Sequence, residues 1–166
     1  MDAIEELLQR NRRYAADFDK GHLASPPAQE VAVLACMDAR MDIHRILGVS
    51  EGAVHVIRNA GGIASDDALR SLLISQRLLG TKAVMVIQHT GCGMLGLPED
   101  EVREQVERET GQALDLRLHA FGELEEETAA AVTRIRSSVF LPHRDQVRGF
   151  VYDVKTGRLR EVEVPA

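Results

Sequence analysis

The sequence predicts an α/β fold, with a mainly parallel sheet flanked by helices, an N-terminal helical arm and a C-terminal antiparallel edge hairpin. Short apolar runs alternate with stretches of helical periodicity, which is the pattern of a parallel sheet buried on both faces. A breaker stretch, GHLASPPAQE, separates the first 20 residues from the rest. The final stretch, GFVYDVKTGRLREVEV, has two strand-like halves around a turn at 155–157.

The N-terminal arm is predicted to be a helix within residues 1–20. Its apolar residues recur at helical spacing: Ile4, Leu7, Leu8, Ala15 and Phe18. Beyond the breakers, apolar runs at 31–35 and 54–57 are predicted to be strands, with a short helix at 43–47 between them. This strand, crossover and strand form one unit of a parallel sheet.

The middle of the chain is predicted to repeat this unit. Ser65 and Asp66 are good N-caps for a helix that Gly80 would end. The residues expected on its core-facing side recur at helical spacing: Leu69, Leu72, Leu73, Gln76 and Leu79. A further strand is predicted at 83–87, directly after this helix.

Two more helices are predicted in the second half of the chain. Pro98 favours the start of one helix, and another should begin near residue 120. One face of the second helix is marked by Phe121, Leu124, Thr128, Ala131, Val132 and Ile135.

Size and composition fit one domain over residues 1–166. A chain of 166 residues can bury a core without disulfides. The formal net charge is −6 and the basic residues are interspersed with acidic ones, so neither nucleic acid nor membrane is a predicted partner. A small-molecule substrate fits this charge better. Without a long apolar run or a secretory leader pattern, the predicted location is the cytoplasm.

Three potential metal ligands are predicted to meet at one edge of the sheet. Cys36 follows the first strand, and His89 and Cys92 follow the third. Ligands of open α/β sheets bind beyond the carboxyl ends of the strands, so these side chains converge if the two strands are neighbours. Two Cys and one His suit zinc, and three protein ligands leave a position for water or substrate, as in catalytic sites. A reducing compartment also favours metal binding over a disulfide.

A carboxylate and a guanidinium follow Cys36 closely. Asp38 and Arg40 lie in the predicted strand-to-helix turn, where their side chains would be held near the metal. On their own, such residues are typical of an N-cap and a surface ion pair.

Taken in order, these motifs resemble those of the beta-class carbonic anhydrases. C-x-D-x-R begins at Cys36, RNAGG spans residues 58–62 and H-x-x-C-G begins at His89. The resemblance covers residues 31–97, and many relatives have Gly where this chain has Gln88.

The resemblance implies a zinc cofactor held by Cys36, His89 and Cys92. The implied reaction is the reversible hydration of carbon dioxide to bicarbonate and a proton, by attack of a zinc-bound hydroxide. Asp38 and Arg40 would form the catalytic dyad, in which Asp38 accepts the hydroxyl proton and Arg40 holds the carboxylate. In a closed state, Asp38 would become a fourth metal ligand. The residues implied to line the substrate pocket are Asn59, Ala60, Gly61 and Gly62.

The predicted assembly is a homodimer, or a tetramer built from dimers. The helical arm resembles the exchanged arm of the family, which packs its apolar face on a neighbouring subunit.

Two other functions stay open. A carbon disulfide or carbonyl sulfide hydrolase would use the same zinc site, because channel width and lining, and not the metal ligands, distinguish these substrates from carbon dioxide. A catalytically inactive zinc-binding relative is the other alternative, although Asp38 and Arg40 argue against it. The G-x-G-x-x-G at 91–96 does not indicate a dinucleotide site, since residues 99–110 resemble a charged helix where that fingerprint requires a second strand. The isolated histidines receive no role: His22, His44, His55, His119 and His143.

Overall fold

The structure is a computed structural model that describes residues 2–165. Its helices are α1 (Ala3–Ala16), α2 (Ile43–Leu47), α3 (Asp66–Leu79), α4 (Glu99–Thr110) and α5 (Leu124–Ser137). Its strands are β1 (Val31–Cys36), β2 (Val54–Asn59), β3 (Ala83–His89), β4 (Val147–Tyr152) and β5 (Leu159–Val162). No helix within the described residues has the length and apolar character needed to cross a membrane.

The strands form one sheet in the order β2-β1-β3-β4-β5. The first four strands pair in parallel, and β5 pairs antiparallel with β4. The predicted α/β fold, with its mainly parallel sheet and antiparallel edge, is therefore confirmed. β1 lies between β2 and β3, and its Ala35 is opposite Arg58 on one side and Ile87 on the other. The carboxyl ends of these three strands consequently meet at one edge of the sheet.

Both faces of β1 are buried. One core lies between the sheet and helices α3 and α5, and it includes Ala32 and Leu34. A second core takes Val33 and Ala35 and reaches the carboxyl edge of the sheet, where it includes Cys36. Because interiors are close-packed, a strand held from both faces has little freedom to shift.

Helix α3 begins and ends where the sequence predicts. The hydroxyl of Ser65 accepts a hydrogen bond from the Ala68 N–H at 3.2 Å. Gly80 ends the helix in the left-handed conformation, at a φ of 77°.

The buried side of α3 matches the predicted one only in part, since Leu72 and Gln76 are buried as expected. It is formed by Ala68, Leu72, Ser75 and Gln76, whereas Leu69, Leu73 and Leu79 are only partly buried. The polar members can be buried because they have partners. The Ser75 and Thr81 hydroxyls are 2.8 Å apart, and Gln76 Nε2 donates to the His143 carbonyl at 2.8 Å.

Helix α1 is shorter than predicted, since it ends at Ala16 with Asp17 as its cap. It contains no buried residue, and Ile4 and Leu7 are 71% and 61% exposed. The arm contacts the rest of the chain through Glu51, which accepts hydrogen bonds from Tyr14 and Lys20. Its apolar side is therefore uncovered in the single chain.

Helix α5 begins at Leu124, so Phe121 lies in the segment before the helix and not on its face. Phe121 is nevertheless buried, because this segment pairs with Leu95 in an isolated bridge. The remaining residues of the predicted face are buried as expected: Leu124, Thr128, Ala131, Val132 and Ile135.

Candidate metal centre

Three of the predicted site residues meet at the carboxyl edge of the sheet. Cys36 ends β1, His89 ends β3, and Cys92 lies in the turn that follows β3. Their sulfur and nitrogen atoms all lie within 4.8 Å of one another, and within residues 2–165 no other such cluster of potential ligands occurs. All three residues are buried, with exposures of 5%, 0% and 7%.

Hydrogen bonding orients the imidazole of His89. Its Nδ1 lies 2.9 Å from the Thr90 carbonyl oxygen, which can only accept, so Nδ1 carries the proton. Thr90 is itself held, because its N–H donates to the Tyr152 carbonyl at 2.9 Å and its hydroxyl accepts from the Val154 N–H. Nε2 of His89 is thereby left as an unprotonated acceptor that points towards the two sulfur atoms.

The donor set fits a zinc ion. Nε2 of His89 is buried and has no hydrogen-bond partner among the described residues, which is costly unless another group binds it. The sulfur atoms of Cys36 and Cys92 are 4.0 Å apart. This is less than twice the usual zinc–sulfur distance of about 2.3 Å, so one ion can reach both sulfurs. Burial raises the pKa of the Cys92 thiol, and a bound cation would displace its proton.

Asp38 and Arg40 form a closely bonded pair beside this cluster. The Arg40 Nε and main-chain N both donate to Oδ1 of Asp38 at 2.9 Å, and Nη2 donates to Oδ2 at 2.7 Å. These hydrogen bonds hold the pKa of the Asp38 carboxyl well below its ordinary value. Oδ2 of Asp38 is also 3.6 Å from Nε2 of His89. Arg40 reaches the other side of the centre, where Nη2 donates to the Gly91 carbonyl at 3.1 Å.

The segment predicted to line the substrate pocket has a tightly fixed main chain. Asn59 uses its side-chain amide to bond both the N–H and the carbonyl of Ile63, at 2.7 and 2.8 Å. Gly61 and Gly62 are buried, and Gly62 adopts a φ of 65°. A β-carbon at Gly62 would lie 2.9 Å from the Cys36 main-chain nitrogen, so only glycine fits this close approach. The contact of these residues and Ala60 with substrate stays a prediction.

Two features of the site escaped sequence reasoning. Arg58 donates hydrogen bonds to the carbonyls of Cys36 and Asp38, although the RNAGG motif gave it no role. Gln88, which precedes His89, is 1% exposed and accepts a hydrogen bond from Thr128 at 3.0 Å. A signal for Gln88 was present, since the resemblance leads one to expect glycine at this position.

The chain is similar to carbonic anhydrases along nearly its whole length. The carbonic anhydrase family model matches residues 31–137. Beta-carbonic anhydrase 1 of Mycobacterium tuberculosis (strain ATCC 25618 / H37Rv) is 43% identical over 162 residues, which cover 98% of this chain and 99% of that protein. The crystal structure of a carbonic anhydrase from Streptococcus mutans superposes with a TM-score of 0.92 at 34% identity, covering 98% of this chain and 99% of that one. A carbon disulfide hydrolase of Acidianus sp. (strain A1-3) is 33% identical over 182 residues, which cover 95% of this chain and 88% of that protein.

Proposed function

The chain belongs to the beta-carbonic anhydrase family, and we propose that it hydrates carbon dioxide reversibly to bicarbonate and a proton, with zinc held by Cys36, His89 and Cys92. The observation that carries this proposal is the buried cluster of two sulfurs and one imidazole nitrogen, all within 4.8 Å of one another. Zinc is the cofactor of beta-carbonic anhydrases, and this donor set suits it.

Bound zinc supplies a Lewis acid that makes water a nucleophile at neutral pH. The chain supplies a hydrogen-bond acceptor beside the position where that water would be held. Oδ2 of Asp38 lies 3.6 Å from Nε2 of His89, so the carboxylate borders the position that the three donors enclose. Arg40 keeps Asp38 ionised and fixes both carboxylate oxygens, so the hydrogen-bond acceptor is oriented before substrate arrives.

We also infer that the working form is a homodimer, or a tetramer built from two dimers. The argument rests on α1, whose apolar side chains are exposed in the single chain. A helix with a polar and an uncovered apolar side requires a surface to pack against, and a second copy of the chain supplies one.

Hydrolysis of carbon disulfide or carbonyl sulfide is the second candidate function. It is supported by the 33% identity to a carbon disulfide hydrolase. The identity to a beta-carbonic anhydrase is higher, at 43%, so carbon dioxide hydration remains the first candidate. The same cluster of Cys36, His89 and Cys92 would serve both reactions. The paired Asp38 and Arg40 support an active enzyme over a zinc-binding relative without turnover.

The test is to measure zinc per chain and carbon dioxide hydration on one sample, with carbonyl sulfide and carbon disulfide as parallel substrates. Cys36→Ser, His89→Ala and Cys92→Ser should each lose zinc and activity together. His143→Ala is the matched control, because it removes an exposed imidazole. Full zinc occupancy in any of the three variants would refute the ligand set. Turnover of the sulfur substrates with negligible carbon dioxide hydration would establish the second function instead.

A further inference from the structure

Arg58 connects β2 to the candidate metal centre. It is opposite Ala35 in the parallel register of β1 and β2, and its guanidinium reaches past the end of β1. Nε donates to the Cys36 carbonyl at 2.9 Å, and Nη2 donates to the Asp38 carbonyl at 2.7 Å. One side chain therefore holds two carbonyls that are two residues apart.

Apolar packing hardly fixes the main chain of the segment between these carbonyls. Met37 is 65% exposed, so its side chain contributes little buried surface to fix the main chain. Its N–H donates to the Asn59 carbonyl at 2.8 Å. The segment from Cys36 to Asp38 is thus tied to β2 by hydrogen bonds, and those from Arg58 have a charged donor, which makes them the stronger ones.

The Asp38–Arg40 pair does not determine its own position. Its internal hydrogen bonds join residues of the same turn, so the pair can move as a unit. Its bond to the segment after β3 runs from Arg40 to the Gly91 carbonyl at 3.1 Å. The distance between the Asp38 carboxylate and His89 therefore depends on what holds the main chain at residues 36–38.

We propose that Arg58 is a positioning residue for this centre, an inference that rests on the proposed function. By holding the carbonyls of Cys36 and Asp38, it sets the Cys36 sulfur and the Asp38 carboxylate in place relative to His89 and Cys92. Arg58 acts through the main chain and not on substrate. Its loss should therefore loosen metal binding and slow turnover, while substrate binding changes little.

The chain offers a matched control for this interaction. Arg103 donates to the carbonyls of Leu114 and Leu116 at 2.7 and 2.9 Å, so it also holds two carbonyls two residues apart. The segment that it holds contains none of the site residues. Arg58→Met therefore removes two hydrogen bonds to main-chain carbonyls at the metal centre, and Arg103→Met removes two of the same kind away from it. Arg58→Lys keeps the charge but cannot reproduce the fork of donors.

The experiment measures three properties of each variant. They are the rate of zinc loss to a chromogenic chelator, the visible spectrum of the cobalt-substituted protein, and kcat and KM for carbon dioxide hydration. For Arg58→Met we expect zinc to be lost about 10- to 100-fold faster and kcat to fall by about 10- to 100-fold. KM should stay within about twofold of the wild-type value, and the thiolate–cobalt absorption should change. Arg58→Lys should fall between wild type and Arg58→Met. Arg103→Met should match wild type in all three properties.

Wild-type zinc loss and an unchanged cobalt spectrum in Arg58→Met would overturn the proposal, as would equal changes in Arg103→Met. Should Arg58→Met fail to fold, Arg58→Lys decides, because wild-type values in that variant would show that the paired hydrogen bonds are dispensable. A wild-type protein that binds zinc without hydrating carbon dioxide would refute the proposed function. The zinc-loss rates and cobalt spectra would still test the role of Arg58.

Discussion

Oδ2 of Asp38 lies 3.6 Å from Nε2 of His89, although Arg40 bonds both oxygens of the same carboxylate. The carboxylate and the imidazole are therefore close enough for both to contact one bound ion or small molecule beside them. Because the hydrogen bonds from Arg40 lower the pKa of Asp38, this carboxylate stays ionised throughout the physiological pH range.

The first prediction concerns the charge of Asp38. Asp38→Asn keeps the shape of the side chain but removes its negative charge and replaces one acceptor oxygen with a donor, so carbon dioxide hydration should fall by about 100-fold or more. Zinc per chain should stay at the wild-type value, because the three candidate ligands are intact. Asp42→Asn is the control, since Asp42 caps α2 in the same stretch of chain. Wild-type activity in Asp38→Asn would rule out its role as acceptor.

The second prediction concerns the closed state, in which Asp38 would bind the metal. Arg40→Ala removes the two side-chain hydrogen bonds that hold the carboxylate and keeps only the one from the main-chain N–H, so Asp38 should turn towards zinc near neutral pH and reduce activity. Zinc-edge X-ray absorption of this variant and of Arg40→Ala combined with Asp38→Ala reports the change. An identical set of zinc ligands in the single and double variants would show that Asp38 never binds the metal.

The third prediction concerns the close approach at Gly62. Gly62→Ala places a methyl group 2.9 Å from the Cys36 nitrogen, at a φ of 65°. The clash should add at least about 1 kcal/mol to the usual cost of a left-handed alanine, which is about 1–2 kcal/mol. Gly80→Ala is the matched control, because Gly80 has a φ of 77° and open space around it. Urea unfolding gives both losses of unfolding free energy, and equal losses would contradict the expected clash.

The fourth prediction concerns assembly through α1. Combined Leu7→Asp and Leu8→Asp substitutions charge the exposed apolar side of the arm, so they should lower the oligomeric state. Gln9→Asp adds a carboxylate to the same helix and should leave the assembly intact. Sedimentation at matched protein concentrations distinguishes the variants. A fully active monomer of the unaltered protein would refute the predicted dimer.

The fifth prediction concerns the half-buried Glu127 in the first turn of α5. Burial raises the pKa of its carboxyl, and nearby His119 partly opposes this. The folded state disfavours the ionised form of Glu127. Its contribution to the unfolding free energy is therefore fully present below the ordinary pKa of about 4.3, and it is lost as pH rises through the folded-state pKa.

Glu127→Gln should therefore raise the unfolding free energy at pH 7 and leave it nearly unchanged at pH 3.5. Glu126→Gln is the control, since it removes an exposed carboxylate from the same turn and the same helix N-terminus. Denaturant unfolding at both pH values gives the comparison. A stabilisation of equal size at the two pH values would show that ionisation of Glu127 is not its cause.

Local signals predicted much of the fold because they act over a few residues. Ser65 begins α3 through a hydrogen bond to its first turn, and Gly80 ends it through a left-handed backbone conformation. Both effects depend only on neighbouring residues. The buried side of α3 was only partly predicted, since Ser75 was missed and its burial depends on the Thr81 hydroxyl as a partner. Hydrophobic periodicity contains no information about such partners.

The same distinction applies to the site. The meeting of Cys36, His89 and Cys92 was predictable from residue type and strand-end position once β1 and β3 are neighbours, as they are in the structure. The role of Arg58 was not, because it depends on the register of β2 against β1 and on a side-chain direction past the strand end. Asn59 belongs to the same class, since its amide bonds the main chain of Ile63.

The two cysteines of the centre lie 56 residues apart, one at the end of β1 and the other in the turn after β3, and these strands become neighbours only in the folded chain. A zinc ion bound to both would close a loop of about a third of the 166 residues, and so act as a cross-link as well as a reagent. Cross-links of this kind restrict the unfolded ensemble, so metal loading would shift the folding equilibrium. During synthesis Cys36 would lack the other two zinc ligands until β3 and the turn after it have left the ribosome. Acquisition of the metal would then mark the pairing of β1 with β3.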